Sequence, residues 1–195
     1  MNVLREGLLG LHRESRCARG RKTFYSPHDV RLFLTLDRIR EQIALAPSLG
    51  NDPRDIHRFS SLIWETSLTI YAVLLLNGHE AYILDFLYRR ETDLRLTYTV
   101  DGLYFLPPVV AQEFVNRQWE LCPVILKKGE IHRELGPREI LPFLDDEEIS
   151  EGGFGTVFKV HLETTCQRLI VQNRVCYLEI RMMNNLTNQA CRNPS

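Results

Sequence analysis

The sequence predicts an α+β chain in which a helical N-terminal domain precedes a glycine-rich β-hairpin. Apolar residues recur at helical spacing after two successive N-cap and proline signals. Further along the chain, apolar residues alternate with the two-residue period of strands on either side of a glycine cluster. With 44% hydrophobic and 25% charged residues, the composition is that of a globular protein rather than a disordered one.

Charge and cysteine usage narrow the class of protein. A net charge of −1 gives no broad electrostatic signal for a nucleic acid or a membrane surface as partner. The five cysteines are odd in number and form no C-x-x-C pair, which favours reduced intracellular thiols over a disulfide scaffold or a zinc site. We therefore expect a cytoplasmic or nuclear protein. The most apolar run, 68–76, is far shorter than the roughly 20 residues that span a bilayer, so it predicts a buried helix.

Residues 1–24 are predicted to form a basic, loosely ordered leader. Arginine and lysine outnumber the acidic residues there, and glycines are interspersed. A nuclear-localisation or nucleic-acid-binding role stays open for this segment. Because the basic residues are spread out, a solvated tail is the favoured interpretation.

The helical N-terminal domain is predicted over residues 25–144. Ser26-Pro27 supplies an N-cap and a first-position proline for one helix of about four or five turns. Asp52-Pro53 repeats that signal for a second, long and mostly buried helix, which ends at Asn77-Gly78. A third helix over 80–90 ends in two arginines, which suit a helix C-terminus.

The chain between 95 and 126 gives less regular signals. Residues 95–106 predict either a small hairpin around Asp101-Gly102 or two extended edges of a loop. A helix follows over 107–122, and a short strand is expected at 124–126. Gln118 and Trp119 on that helix could form a ligand site, but such a tryptophan usually packs into the core beside its helix, and we favour that interpretation.

The glycine-rich stretch at 147–160 predicts a tight β-hairpin with nucleotide-binding chemistry. A loop without Cβ atoms lets backbone N–H groups approach a polyphosphate, and an apolar residue on each flank can close over a flat base. The alternative is an ordinary glycine-rich hairpin that binds no ligand. The candidate nucleotide-binding residues are Ile149, Ser150, Glu151, Gly152, Gly153, Phe154, Gly155 and Val157.

This stretch resembles the glycine-rich loop of eukaryotic-type protein kinases, G-x-G-x-x-G-x-V. Gly152 matches the second glycine, Gly155 the third and Val157 the valine, whereas Ser150 replaces the first glycine. The chain from about residue 114 up to the loop is similar to the segment ahead of the catalytic domain in a group of fungal protein kinases with helical N-terminal regions. The resemblance implies an ATP-binding serine/threonine-kinase-like protein, with an acidic link at 145–148 opening an incomplete kinase N-lobe over 145–195.

The same resemblance implies chemical groups that this sequence lacks. A kinase needs a lysine on the α- and β-phosphates, a glutamate that holds it, a catalytic base and two metal ligands. No lysine follows Lys159. In the family pattern Gln172, after a third strand at 169–171, takes the place of the lysine, and Glu179 lies on a partial αC-like helix at 177–186. With no Asp-Phe-Gly and no catalytic-loop Asp or Asn, we predict no catalytic residue and no metal site.

We therefore expect kinase ancestry without phosphotransferase activity, and weak ATP binding or none. The stretch after the loop is too short for a kinase catalytic domain, so residues from about 161 onward should be poorly ordered or packed back on the helical region. The alternative function is a helical protein-interaction module with a vestigial kinase hairpin. No residue pattern indicates a phosphoacceptor, an individual partner or an oligomeric state.

Overall fold

A computed structural model describes residues 3–17, 20–45, 52–127, 135–152, 155–168 and 176–182. It confirms the predicted α+β fold class, with helices that lie mostly before residue 122 and strands that lie mostly after it. The helices are α1 (Val3–Leu9), α2 (Pro27–Phe33), α3 (Leu36–Ala44), α4 (Pro53–Thr66), α5 (Leu68–Asn77), α6 (Ile83–Tyr88) and α7 (Pro108–Leu121). The strands are β1 (Arg13–Cys17), β2 (Gly20–Phe24), β3 (Leu126–Lys127), β4 (Phe143–Gly152), β5 (Gly155–Leu162), β6 (Gln167–Arg168) and β7 (Cys176–Met182).

Helix boundaries follow the predicted capping residues. The Ser26 hydroxyl accepts a hydrogen bond from the Asp29 N–H at the start of α2, and the Asp52 carboxylate accepts one from the Arg54 N–H at the start of α4. Gly78 ends α5 with a φ of 77°, a left-handed conformation that glycine adopts without strain. Local capping chemistry was therefore sufficient to place three of the helix ends.

Each of the first two predicted helices is divided in two. The first breaks at Leu34, and Thr35 caps the new helix α3 by accepting from the Arg38 N–H. The second bends by 103° between α4 and α5 at Ser67. The bend turns α5 inward, so that every residue from Ile70 to Leu76 is buried. Among the described residues no single helix is long and apolar enough to cross a membrane, and α4 and α5 pass that test only as this bent pair.

The main hydrophobic core surrounds α5. Helices α1, α2, α4, α6 and α7 all contribute buried side chains to it. Phe86 of α6 stacks on Phe114 of α7 with ring centroids 5.3 Å apart, and Tyr98 packs edge-on against both rings. Burial of α5 on all sides explains why its apolar residues show no single helical face.

Neither predicted form of 95–106 is present. The structure has 3-10 turns at Asp93–Arg95 and Asp101–Leu103 instead. The fully buried Gln118 side chain anchors this segment, because its amide accepts from the Tyr98 N–H at 2.8 Å and donates to the Tyr98 carbonyl at 2.7 Å. The preferred core interpretation of Gln118 is confirmed. Trp119 packs against a small second cluster of Phe24, Ile140 and Cys166.

The expectation of a loosely ordered leader over 1–24 was wrong for the described residues. Leu8 of α1 is fully buried in the main core, and the Arg5 side chain donates to the Leu76 carbonyl at the end of α5. Strands β1 and β2 form an antiparallel hairpin that ends in the buried Phe24. Apolar residues between the basic ones supply the packing energy that a count of charges does not reveal.

The strands form three small sheets. The hairpin of β1 and β2 lies against β4, and the Ser15 hydroxyl donates to the Leu141 carbonyl at 2.6 Å. Strands β3 and β6 pair in parallel, so the expected strand at 124–126 starts two residues later than predicted. The third sheet is antiparallel in the order β4-β5-β7. Its inner face buries Phe143, Val160 and Leu162 in a cluster with residues 124 and 141.

Two predictions after residue 144 need correction. The acidic link at 145–148 is part of β4 and pairs with β5. The prediction of an αC-like helix at 177–186 was wrong in the part of the chain that is described, because Cys176–Met182 is strand β7, paired antiparallel with β5. Apolar residues alternate with Tyr177, Glu179 and Arg181 along this strand, which is the period of a sheet and not of a helix. Residues 169–172 and 183–186 lie outside the described residues.

The chain after 161 packs back on the helical region at one turn. Residues Thr164–Cys166 form a 3-10 turn, and the Ser26 and Thr165 hydroxyls are hydrogen-bonded at 2.9 Å. Beside them Arg13 of β1 forms ion pairs with Asp29 of α2, at 2.5 Å, and with Glu163, which is 3% exposed. These contacts join the sheet to the helical region.

Candidate functional site

The glycine-rich hairpin has the predicted tight geometry. Strands β4 and β5 pair as far as the tip, where Gly152 lies opposite Gly155 and only residues 153–154 separate them. Gly155 has a φ of 145°, a conformation that residues with a Cβ rarely adopt. The third glycine of the motif therefore has a conformational reason, whatever the hairpin binds.

Most of the candidate nucleotide-binding residues lie along this tip. Ile149, Ser150, Glu151 and Gly152 form the end of β4, while Gly155 and Val157 begin β5. Gly153 and Phe154 were also predicted to bind nucleotide, and they lie outside the described residues. The structure thus brings the described candidates together on two adjacent strand ends.

Neither of the two apolar flanks of the tip is fully buried. Ile149 is the extra residue between the Glu148–Phe158 pair and the Ser150–Val157 pair, and it is 50% exposed. Phe158 packs partly against the inner cluster, so its neighbour Val157 lies on the opposite face. An exposed isoleucine and a half-buried valine therefore lie on adjacent strands next to the glycines.

The electrostatics at the hairpin oppose a polyphosphate. Strand β4 carries five carboxylates, and most of their residues are exposed. In the register Lys159 lies between Glu147 of β4 and Glu179 of β7. Phosphate groups approaching along β4 would meet like charge, which reduces affinity.

Arg181 is a basic residue near the tip that sequence reasoning missed. It lies opposite Val157 in the pairing of β7 with β5. The prediction placed the neutral Gln172 beside the hairpin because it assumed a strand at 169–171. The strict apolar–polar alternation of 176–182 is the signal that could have identified the neighbouring strand.

Two buried thiols lie elsewhere in the described structure. Burial raises the pKa of Cys122 and of Cys166 to about 12. Neither thiol is ionised at neutral pH, so neither is an activated nucleophile. No group of three or more His, Cys, Asp and Glu residues in the described ranges is arranged to hold a metal ion.

Comparison of the chain with protein-family models, curated proteins and solved structures gave no match. The resemblance to kinases therefore stays a prediction from the motif residues at 149–158 and the segment before them.

Proposed function

We propose that this chain is an intracellular, protein-kinase-like protein whose glycine-rich hairpin binds ATP weakly and does not catalyse phosphoryl transfer. The observation that supports this most is the pairing of Gly152 with Gly155 at the end of the hairpin, where Gly155 adopts a backbone conformation suited to glycine. Neither Gly152 nor Gly155 has a Cβ atom, which removes one obstacle to the close approach of phosphate oxygens to the backbone there.

The flanks of the tip supply the second half of the proposed site. Ile149 and Val157 provide apolar surface on adjacent strands for the adenine ring. Arg181 lies opposite Val157 in the pairing of β7 with β5. The carboxylates of β4 act against these contributions, so we expect a dissociation constant of about 1 mM.

We do not include catalysis in the proposal, because this sequence lacks chemical groups that a kinase needs. Phosphoryl transfer depends on positioned cations and a base, and each contributes orders of magnitude in rate. These 195 residues contain no Asp-Phe-Gly motif and no lysine after Lys159. A phosphate-release assay with Mg·ATP should give the protein-free rate. Activity that disappears when Gly152 and Gly155 are replaced would contradict this part of the proposal.

Thermal unfolding with and without ATP tests the binding itself. At ten times a dissociation constant of about 1 mM, ATP should stabilise the fold by about 1.4 kcal/mol and raise Tm by about 3–6 °C. The Ile149→Asp variant should lose this increase, because it places another carboxylate beside the site. Leu94→Asp is the matched control, since Leu94 is 94% exposed and lies in the helical region.

The second candidate function is a helical protein-interaction module with a vestigial hairpin. It is favoured by exposed apolar side chains in the helical region, where Tyr88, Leu94, Tyr104 and Val109 are each at least 68% exposed. The Arg89 guanidinium lies over the rings of Tyr104 and Phe105 within the same region. A melting temperature that does not change with ATP would favour this function over the first.

A further inference from the structure

A cleft separate from the hairpin lies between β2, α7 and residues 137–140. Its volume is about 520 Å³, which is enough for a small organic molecule. None of its lining residues belongs to the hairpin tip, so a ligand here would be independent of the proposed nucleotide site. Five side chains on the three walls decide what the cleft can bind: Arg21, Lys22, Trp119, Arg138 and Ile140.

Among the described residues, no carboxylate pairs with the cations on two of the walls. The guanidinium groups of Arg21 and Arg138 make no hydrogen bond or ion pair with any residue that the structure describes. The Lys22 ammonium group donates to the Pro137 carbonyl at 2.9 Å and to the Glu139 carbonyl at 3.4 Å, and both acceptors are uncharged. None of the three cations is therefore paired with a carboxylate of the described residues.

Carboxylates at the cleft offset only part of this charge. The lining contains two, Glu14 and Glu120. The Glu120 carboxylate is already paired with the Arg117 guanidinium at 3.0 Å, so its charge is compensated on α7. In the lining, Glu14 then supplies one negative charge, compared with three positive charges from Arg21, Lys22 and Arg138. The balance of charge at the cleft is positive, and its free hydrogen-bonding groups are mostly donors.

Trp119 adds a flat apolar surface to the cleft wall. Its ring is partly buried against Phe24, Ile140 and Cys166, which fixes its position in the wall. The indole N–H is buried and has no acceptor among the described residues. With almost no exposed surface, this N–H is not reachable from the cleft, so Trp119 contributes only its ring to the wall.

We propose that this cleft binds a small aromatic oxyanion, that is, a carboxylate or phosphate attached to a flat ring. Guanidinium groups pair with the two oxygens of such an anion in a planar, bidentate arrangement, which assigns Arg21 and Arg138 to the charged end. The ring lies against Trp119 and Ile140. The nearby Lys22 ammonium adds charge attraction without changing its main-chain contacts.

The two tryptophans of the sequence, Trp64 and Trp119, allow a direct test by NMR. Each gives one indole N–H signal in ¹⁵N-labelled protein, and the Trp64→Phe variant assigns them. Phenyl phosphate and benzoate should each shift the Trp119 signal saturably, with a dissociation constant of about 1 mM or lower. The Trp64 signal, which does not line the cleft, should stay in place. Absence of a saturable shift at Trp119 with either anion overturns the proposal.

Two controls test the role of charge. Benzyl alcohol has the ring without the anion and should bind at least tenfold more weakly, whereas equal binding overturns an oxyanion site. The Arg21→Gln, Arg138→Gln double variant should weaken phenyl phosphate binding at least tenfold, while Arg54→Gln, on the exposed side of α4, should not. Unchanged binding in the double variant contradicts the assignment. The comparison of benzoate with benzyl alcohol in the unmodified protein stays decisive even if the double variant is unstable.

Discussion

The helical region and the hairpin sheet differ in how completely they bury their residues. In the helical region α5 is buried from Ile70 to Leu76, and even the polar Gln118 is fully buried with its hydrogen bonds made. In the sheet, β5 buries Val160 and Leu162 on one face while β4 exposes a row of carboxylates. The larger buried core therefore belongs to the helices, whereas the exposed residues of β4 can contact a ligand.

A truncation in each region gives the largest expected contrast. Leu74→Ala removes a fully buried side chain from α5 and should lower the free energy of unfolding by about 2–5 kcal/mol. Ile149→Ala, at the half-exposed bulge of β4, should change it by less than about 0.5 kcal/mol. Urea denaturation followed by circular dichroism measures both. Similar losses for the two variants would contradict the division of roles.

The Arg13 ion pairs are one link between the two regions. Arg13→Met leaves the Glu163 carboxylate buried without its cation, which should cost about 2–3 kcal/mol, since Arg13 itself is partly exposed. The Arg13→Met, Glu163→Gln double variant should recover part of that loss, because no unpaired buried charge remains. If the stability losses of the two single variants, Arg13→Met and Glu163→Gln, simply add up in the double variant, the two residues are not coupled.

The buried start of α5 depends on a cap from outside the helix. The Ser67 hydroxyl donates to the Glu91 carbonyl and does not cap the helix, whereas the Asp93 carboxylate accepts from the N–H groups of Thr69 and Ile70 at 2.8 and 3.0 Å. Asp93→Ala should therefore destabilise the protein by about 1–2 kcal/mol. Asp85→Ala, on α6, is a control for loss of a carboxylate. An equal effect in both variants would argue against the cap.

The same carboxylate gives a smaller, pH-dependent effect. Burial raises the pKa of Asp93 above its ordinary value, although hydrogen bonds from Thr69 and Ile70 oppose the shift. The folded state therefore holds this proton more tightly than the unfolded state does. Its contribution to stability falls as the pH rises from the ordinary aspartate range through the raised pKa. Asp93→Asn should lack this contribution, so the stability difference between wild type and variant should change with pH in that window.

Sequence patterns identified the elements that depend on local chemistry. The caps at Ser26 and Asp52, the glycine at the end of α5 and the hairpin around Gly152 and Gly155 were all predictable, because each depends on nearby residues. The bend at Ser67 was not, because its hydroxyl and the cap of α5 both use the segment after α6.

Among the described residues, the predictions for the two ends of the chain, at 1–24 and 177–186, failed because long-range packing determines the structure there. Residues 1–24 were expected to be loosely ordered because their charge was conspicuous, yet Leu8 and Phe24 are fully buried against distant elements. Strand β7 was predicted as helix because family spacing was given more weight than the alternation of 176–182. At the candidate site the glycines were predictable, whereas the position of Arg181 required the sheet pairing.

An ATP titration followed by the backbone amide signals of glycine tests the central claim most directly. If the hairpin tip holds the phosphates, the signals of Gly152 and Gly155 should shift together and saturate with a dissociation constant of about 1 mM. Gly78, which ends α5 in the helical region, should not shift. Unmoved signals at Gly152 and Gly155 while the indole signal of Trp119 shifts would contradict the account, because ATP would then bind at the cleft.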